Sequence, residues 1–173
     1  AIGDDENRTI LEAYNKALIF SDDPRWRDEH AQIIDTADIS LFNRKIIPSV
    51  QPTHATSDMY WAEERIGSSR LEGAYAYKKL LDMSGRISLG TDFPVEEVSP
   101  LLTFFAAVAR QDKDLFPEGG YLYKNKLSRM EALSGMTKWG AYANFEEDQK
   151  GSIEIGKVAD FVILDRDIML VKE

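Results

Sequence analysis

Arg86-Ile-Ser-Leu-Gly-Thr-Asp-Phe-Pro-Val95 is a short apolar run that ends in a glycine turn and a carboxylate. The run predicts a strand over Arg86–Leu89, so Gly90-Thr91-Asp92 leaves Asp92 just past its tip. In strand–helix barrels the chemistry is done at that end of the strands. His30, in Arg27-Asp-Glu-His-Ala-Gln32, stands in the same relation to a highly charged strand candidate over Arg25–Glu29. Imidazole and carboxylate at strand tips are donor types from which catalytic zinc sites are built.

Outward from those tips, the chain alternates. Asn7–Phe20 carries Ile10, Leu11, Tyr14, Ala17 and Leu18 at helical spacing. A turn at Asp22-Asp23-Pro24 follows, then a helical stretch over Asp35–Asn43 and a buried strand over Lys45–Val50. Arg70–Met83 predicts a helix, closed by Gly85 as a C-cap, and Ser99–Gln111 predicts a strongly apolar one. Ser128-Arg-Met-Glu131 is a capping box that opens a helix to about Trp139. Two β-like runs, Gly151–Ile155 and Ala159–Leu164, flank Gly156-Lys157 at the end. Strand–helix alternation implies parallel strands with helices outside, here an α/β fold followed by a small separate β element. The long loop Asp112–Lys126 is the segment whose length most suggests a functional role.

Composition removes several classes. With 173 residues, there is room for one cored domain or one domain and a small appendage. A net charge of −9 disfavours a phosphate backbone as partner, since binding one needs clustered Lys and Arg. The longest apolar run, Leu101–Ala109 (interrupted by Thr103), is far short of the roughly 20 residues that span a bilayer, so no membrane partner is expected. With no cysteine there is neither a disulfide nor a thiolate metal site. Gly119-Gly120 lacks the Lys-Ser/Thr of a phosphate loop. Glu146-Glu147-Asp148 lacks the alternating ligands of a calcium loop and reads as a solvated turn.

Taken singly, His30 reads as a strand-end histidine bonded to a carbonyl, and Asp92 as an Asx turn. Together they favour a site, because the same rim is polar twice in an otherwise apolar pattern. His54, in Gln51-Pro-Thr-His-Ala-Thr-Ser-Asp58, lies on that rim too, either as a polar loop residue or as a substrate contact.

With those residues in view, the chain resembles the metal-dependent amidohydrolase superfamily, above all its amidohydrolase-3 branch related to N-substituted formamide deformylases. The resemblance rests on Ala1-Ile-Gly-Asp4, Glu29-His-Ala-Gln32, Ser49-Val-Gln-Pro-Thr-His-Ala-Thr-Ser-Asp-Met59 and Leu89-Gly-Thr-Asp-Phe-Pro-Val95. Ala132-Leu-Ser-Gly-Met-Thr137 and Gly151–Asp165 follow in the family's order.

The resemblance implies a (β/α)8 barrel holding one or two divalent metals, usually zinc. His30 then corresponds to the histidine after strand 6 and Asp92 to the aspartate after strand 8, with Asp92 also the catalytic base. Outside the resemblance, the rim position of His54 makes it the candidate substrate-binding residue. The first histidine pair and the bridging Lys have no counterpart, and the strand-5 histidine would fall immediately before Ala1. The expectation is thus a partial TIM barrel, strands 6 to 8 with their helices over residues 1–145. Residues 146–173 would be the β tail of a small composite β-sandwich.

With two ligands instead of about three, such a fragment would bind metal weakly and be inactive alone. Its parent would be a hydrolase of amide-type C–N bonds in small molecules, placed in the cytoplasm. Unpaired strand edges would make the fragment a homo-oligomer. The alternative reading is a non-catalytic regulatory or binding module, similar to proteins described as exoenzyme regulatory proteins.

Overall fold

The computed structural model describes residues 1–172. Its centre is a parallel three-stranded sheet in the order β1 (Trp26–Glu29), β2 (Ile46–Val50), β3 (Ser88–Leu89). Trp26 pairs with Ile46 and Glu29 with Ser49, while Ser49 and Val50 pair with Ser88 and Leu89. The carboxyl ends of all three strands therefore lie level. Ile46, Ile47 and Val50 of the middle strand are buried, as suits a largely apolar strand covered on both faces. Pro48 is tolerated there because β3 pairs only from Ser49 onward, leaving the proline beside one neighbouring strand.

Seven helices surround the sheet among the described residues: α1 (Asp4–Ala17), α2 (Pro52–Asp58), α3 (Ala62–Ile66), α4 (Tyr77–Ser84), α5 (Pro100–Ala109), α6 (Arg129–Met136) and α7 (Lys138–Ala143). α1 begins a turn before the predicted Asn7. Asp4, Asp5 and Glu6 fill its first turn, where the helix dipole favours negative charge, and Glu6 accepts the Gly3 N–H at 3.5 Å. Gly85 adopts φ 75° and donates to Leu81 at 2.7 Å, closing α4 as its residue type predicts. In the Ser128 box, Ser128 Oγ accepts from the Glu131 amide at 3.2 Å and Glu131 Oε2 from the Ser128 amide at 2.8 Å.

Three predicted helices differ from what forms. Asp35–Asn43 is a 3₁₀ segment over Thr36–Leu41, because the Asp35 carboxylate takes the Ala37 amide at 3.0 Å and tightens the turn. Arg70–Met83 splits into a 3₁₀ segment (Ser68–Gly73) and α4. Between them the backbone bonds sideways: Ile34 donates to Gly73 O at 3.0 Å and Tyr75 to Gln32 O at 2.8 Å. That tertiary pairing outweighs the helical periodicity. The helix from Ser128 breaks at Thr137 (φ −124°, ψ −92°), which divides α6 from α7. Gly135 of α6 sits directly on β3, where a Cβ would come within 2.7 Å of Leu89 Cγ.

The two β-like runs near the end form no strand within the described residues. Ile153, Ile155, Val162 and Ile163 are exposed, and no neighbouring strand lies beside them to complete a ladder. Beyond them Ile168 and Met169 pack on the core, and Arg129 donates to the carbonyls of Ile168 and Val171. No helix of the described residues is long and apolar enough to cross a membrane.

Candidate metal centre

The level strand ends bring three side chains together. β1 runs one residue beyond its named end, with the His30 amide donating to Ser49 O at 2.8 Å. The chain then turns sharply through positive φ at His30 (72°) and Ala31 (42°). β3 is likewise prolonged by Gly90 donating to Val50 O at 3.0 Å, and Asp92 takes φ 59° directly after it. Left-handed backbone is uncommon outside glycine, though His and Asp accept it more readily than most residues. Its recurrence at two strand tips marks the rim as a constrained surface of the kind that accompanies function.

His54 arrives from β2 by a different route. Pro52 starts α2 immediately after the strand, with its fixed φ suited to the first helical turn. The turn carries the imidazole back over the sheet end, where it is 8% exposed. His30, His54 and Asp92 then offer donor atoms that all lie within 4.8 Å of one another. His54 Nε2 stands 3.4 Å from Asp92 Oδ2, and the two imidazoles meet edge to face with centroids 5.8 Å apart. His30 Nδ1 and His54 Nε2 are buried with no hydrogen-bond partner among the described residues.

Buried polar nitrogens without partners are costly. Two imidazoles converging with a carboxylate form the N,N,O donor set that borderline-soft divalent ions accept. The residues present therefore fit a divalent cation. They fit it better than the sequence reading anticipated, since His54 joins His30 and Asp92 as a third potential donor.

Supporting contacts tie the donors to one another. Gln32, just past His30, donates to Asp58 Oδ2 at 2.8 Å, and Tyr75 OH donates to the same oxygen at 2.7 Å. Burial above all, with the adjoining Asp58 carboxylate, pushes the Tyr75 phenol above its ordinary pKa, so it stays a donor. Asp58 closes α2, so this network fixes the helix bearing His54 against the turn bearing His30. On the other flank, Glu96 Oε1 lies 4.0 Å from His54 Nδ1 and accepts the Ser57 hydroxyl at 2.6 Å.

Sequence reasoning placed His30, Asp92 and His54 on one rim, and all three meet there. It left His54 between a polar loop residue and a substrate contact, without a metal role, and passed over Glu96, Gln32 and Asp58. The Pro52 start signal directly after a strand could have located His54, because it fixes where the next turn points. Glu96 and Asp58 carry no such local signal.

Over residues 1–173 the sequence matches the amidohydrolase family. It is 33% identical over 168 residues to Protein LONG AFTER FAR-RED 3 of Arabidopsis thaliana, covering 95% of this chain and 28% of that protein. It is 32% identical over 139 residues to the putative amidohydrolase YtcJ of Bacillus subtilis (strain 168), covering 80% of this chain and 26% of that one. In structure it superposes with a TM-score of 0.78, at 32% identity, on an uncharacterized metal-dependent hydrolase from Pyrococcus furiosus. That alignment covers 98% of this chain and 33% of the hydrolase. The chain thus spans about a quarter to a third of these relatives.

Proposed function

This chain belongs to the amidohydrolase family, and we propose that it forms one side of the metal-holding pocket of a hydrolase acting on amide-type C–N bonds. The observation that carries the reading is the convergence of His30, His54 and Asp92 at three level strand ends. Three parallel strands with outer helices are consistent with strands 6 to 8 of a (β/α)8 barrel over residues 1–145. Residues 146–173 would then be a tail that forms strands only beside the rest of a small β-sandwich. Their exposed alternating apolar side chains favour that assignment.

In this reading His30 and His54 hold the cation, zinc being the ion best matched to an N,N,O set, and Asp92 shares the position. A cation bound there would supply Lewis acidity towards a substrate carbonyl and make water a better nucleophile at neutral pH. The chain's own contribution is positional. Asp92, with its side chain about one-third exposed, is open to a substrate from the rim. It accepts the proton of the attacking water on a carboxylate oxygen and returns it to the leaving nitrogen. His54, nearly enclosed, is held in place between Asp92 and Glu96. Substrates are small molecules, and the relatives' greater length leaves room for further donors and for the walls of the pocket. Alone, the chain would be inactive and would self-associate through uncovered apolar surface such as Ile153, Ile155 and Ile163.

The test is an activity screen of the parent polypeptide on N-substituted formamides and N-acylated amines after zinc loading. Asp92→Asn is expected to lower kcat by about 10²–10⁴-fold, the range for losing a general acid–base group, when assayed in saturating zinc. If no C–N hydrolysis occurs and Asp92→Asn alters no measured activity, the reading fails and a non-catalytic binding role takes its place.

A further inference from the structure

One loop reaches both nitrogens of the His54 ring. It leaves β3, turns at Asp92 with the Val95 amide donating to Asp92 O at 2.8 Å, and enters α5 at Pro100. Four residues apart across that turn, Asp92 and Glu96 each face a different ring nitrogen. Asp92 Oδ2 stands 3.4 Å from Nε2, and Glu96 Oε1 stands 4.0 Å from Nδ1.

The two nitrogens are not equivalent. Nε2 is buried and has no hydrogen-bond partner among the described residues. Its separation from Asp92 Oδ2 matches that of two donors on one cation. Bonds of about 2.0–2.1 Å at a tetrahedral angle put such donors about 3.3 Å apart. A neutral imidazole carries its proton on one nitrogen and its lone pair on the other. With Nε2 facing the cation position, the proton belongs on Nδ1. Metal-holding histidines commonly donate that second N–H to a carboxylate, which fixes the tautomer and the ring.

Glu96 is anchored for that task. Its side chain is 18% exposed, and Oε1 accepts the Ser57 hydroxyl at 2.6 Å. Ser57 follows His54 by three residues on α2, so both side chains lie on one helix face. A carboxylate tied to Ser57 therefore stands beside the imidazole. It has capacity for several donors, so Ser57 does not exhaust it. A shift of about 1 Å brings Nδ1–H into the ordinary N–H···O range.

The geometry points to Glu96 as a positioning residue: it accepts the Nδ1–H of His54, holds the ring in that tautomer, and so presents the Nε2 lone pair to the cation position. One loop thus supplies a donor, Asp92, and orients another, His54. The inference deepens the metal reading and rests on it only for the zinc arm of its test.

The test reads the ring nitrogens of the chain's two histidines by long-range ¹H–¹⁵N NMR, with the rings neutral and zinc absent, in the parent, Glu96→Ala and Glu96→Gln. The parent and Glu96→Gln, whose amide oxygen still accepts, are expected to show His54 protonated on Nδ1. Glu96→Ala is expected to shift the ring towards the Nε2–H form, which histidine favours when Nδ1 has no acceptor. The second arm is zinc affinity by competition with a chelator. Glu96→Ala is expected to lose about 10–100-fold and Glu96→Gln to stay within about fivefold of the parent, a neutral acceptor being the weaker one. An Nδ1–H tautomer that persists in Glu96→Ala overturns the inference, as does zinc held on Nδ1. So does a Glu96→Gln variant that matches Glu96→Ala in both arms, since Glu96 would then act through charge alone. Zinc bound with a tautomer indifferent to Glu96 sinks this inference and leaves the metal reading. A tautomer set by Glu96 in a chain that binds no zinc upholds the positioning role and removes the metal reading instead.

Discussion

Replacing His54 by Ala lowers zinc affinity by about a hundredfold or more while leaving the fold in place. Loss of a group that merely orients a ligand costs about 10–100-fold in affinity, and removing one of three direct donors exceeds that range. The fold is spared because the His54 imidazole makes no hydrogen bond within the described residues and packs chiefly on His30. Its Nε2 has no hydrogen-bond partner, and its Nδ1 stands 4.0 Å from Glu96. Stability by denaturant titration is expected to fall by about 1–2 kcal/mol, the cavity cost being offset in part by removal of an unpartnered buried nitrogen. Competitive titration against a chelator of known affinity reads the metal side. An affinity unchanged in His54→Ala would return His54 to a substrate contact and leave a two-donor site.

Gly73→Ala is the largest structural effect expected. A Cβ at Gly73 would lie 1.6 Å from Ile34 O, far inside any tolerable contact. The same carbonyl region carries the backbone pairing of Ile34 with Gly73 and of Gln32 with Tyr75. Relief therefore means breaking those bonds and shifting the turn after His30. A cost of about 4 kcal/mol is expected, the upper end for single substitutions. Against a total of roughly 5–15 kcal/mol, it leaves a chain that unfolds well below the parent's midpoint in urea. A midpoint within experimental error of the parent's would show that the turn relaxes without loss.

The three strands, the helix caps and the shared rim were legible because each is written locally. Gly85 and the Ser128–Glu131 pair announce their ends through single-residue chemistry. Ile46–Val50 is apolar except at Ser49, its one position that is not buried, as suits a strand covered on both faces. The split between Gly73 and Tyr77 was not legible, since Leu71, Ala74, Tyr75, Leu80 and Leu81 keep helical spacing across it. What breaks the helix is the Gln32–Ile34 backbone, some forty residues earlier. The same holds at the site. His30 and Asp92 could be read from strand tips, whereas the Gln32–Asp58–Tyr75 network and Glu96 depend on segments that meet only in the fold.

Arg110 belongs to that second group. Fully buried at the end of α5, with φ 59°, it donates to Tyr121 O at 2.9 Å and lies over the Tyr77 ring, 4.9 Å from its centroid. Burial pulls its pKa below the usual guanidinium value. It ties the loop after α5 to α4, a task invisible in the run Val108-Ala-Arg-Gln111.

The central claim is that His30, His54 and Asp92 act as one donor set, and its most direct measurement is anomalous diffraction from zinc-soaked crystals of this chain. The account predicts one strong peak within coordinating distance of all three side chains, and its absence from crystals of His30→Ala with His54→Ala. Zinc found only elsewhere on the surface, with these three side chains unmoved, would contradict it.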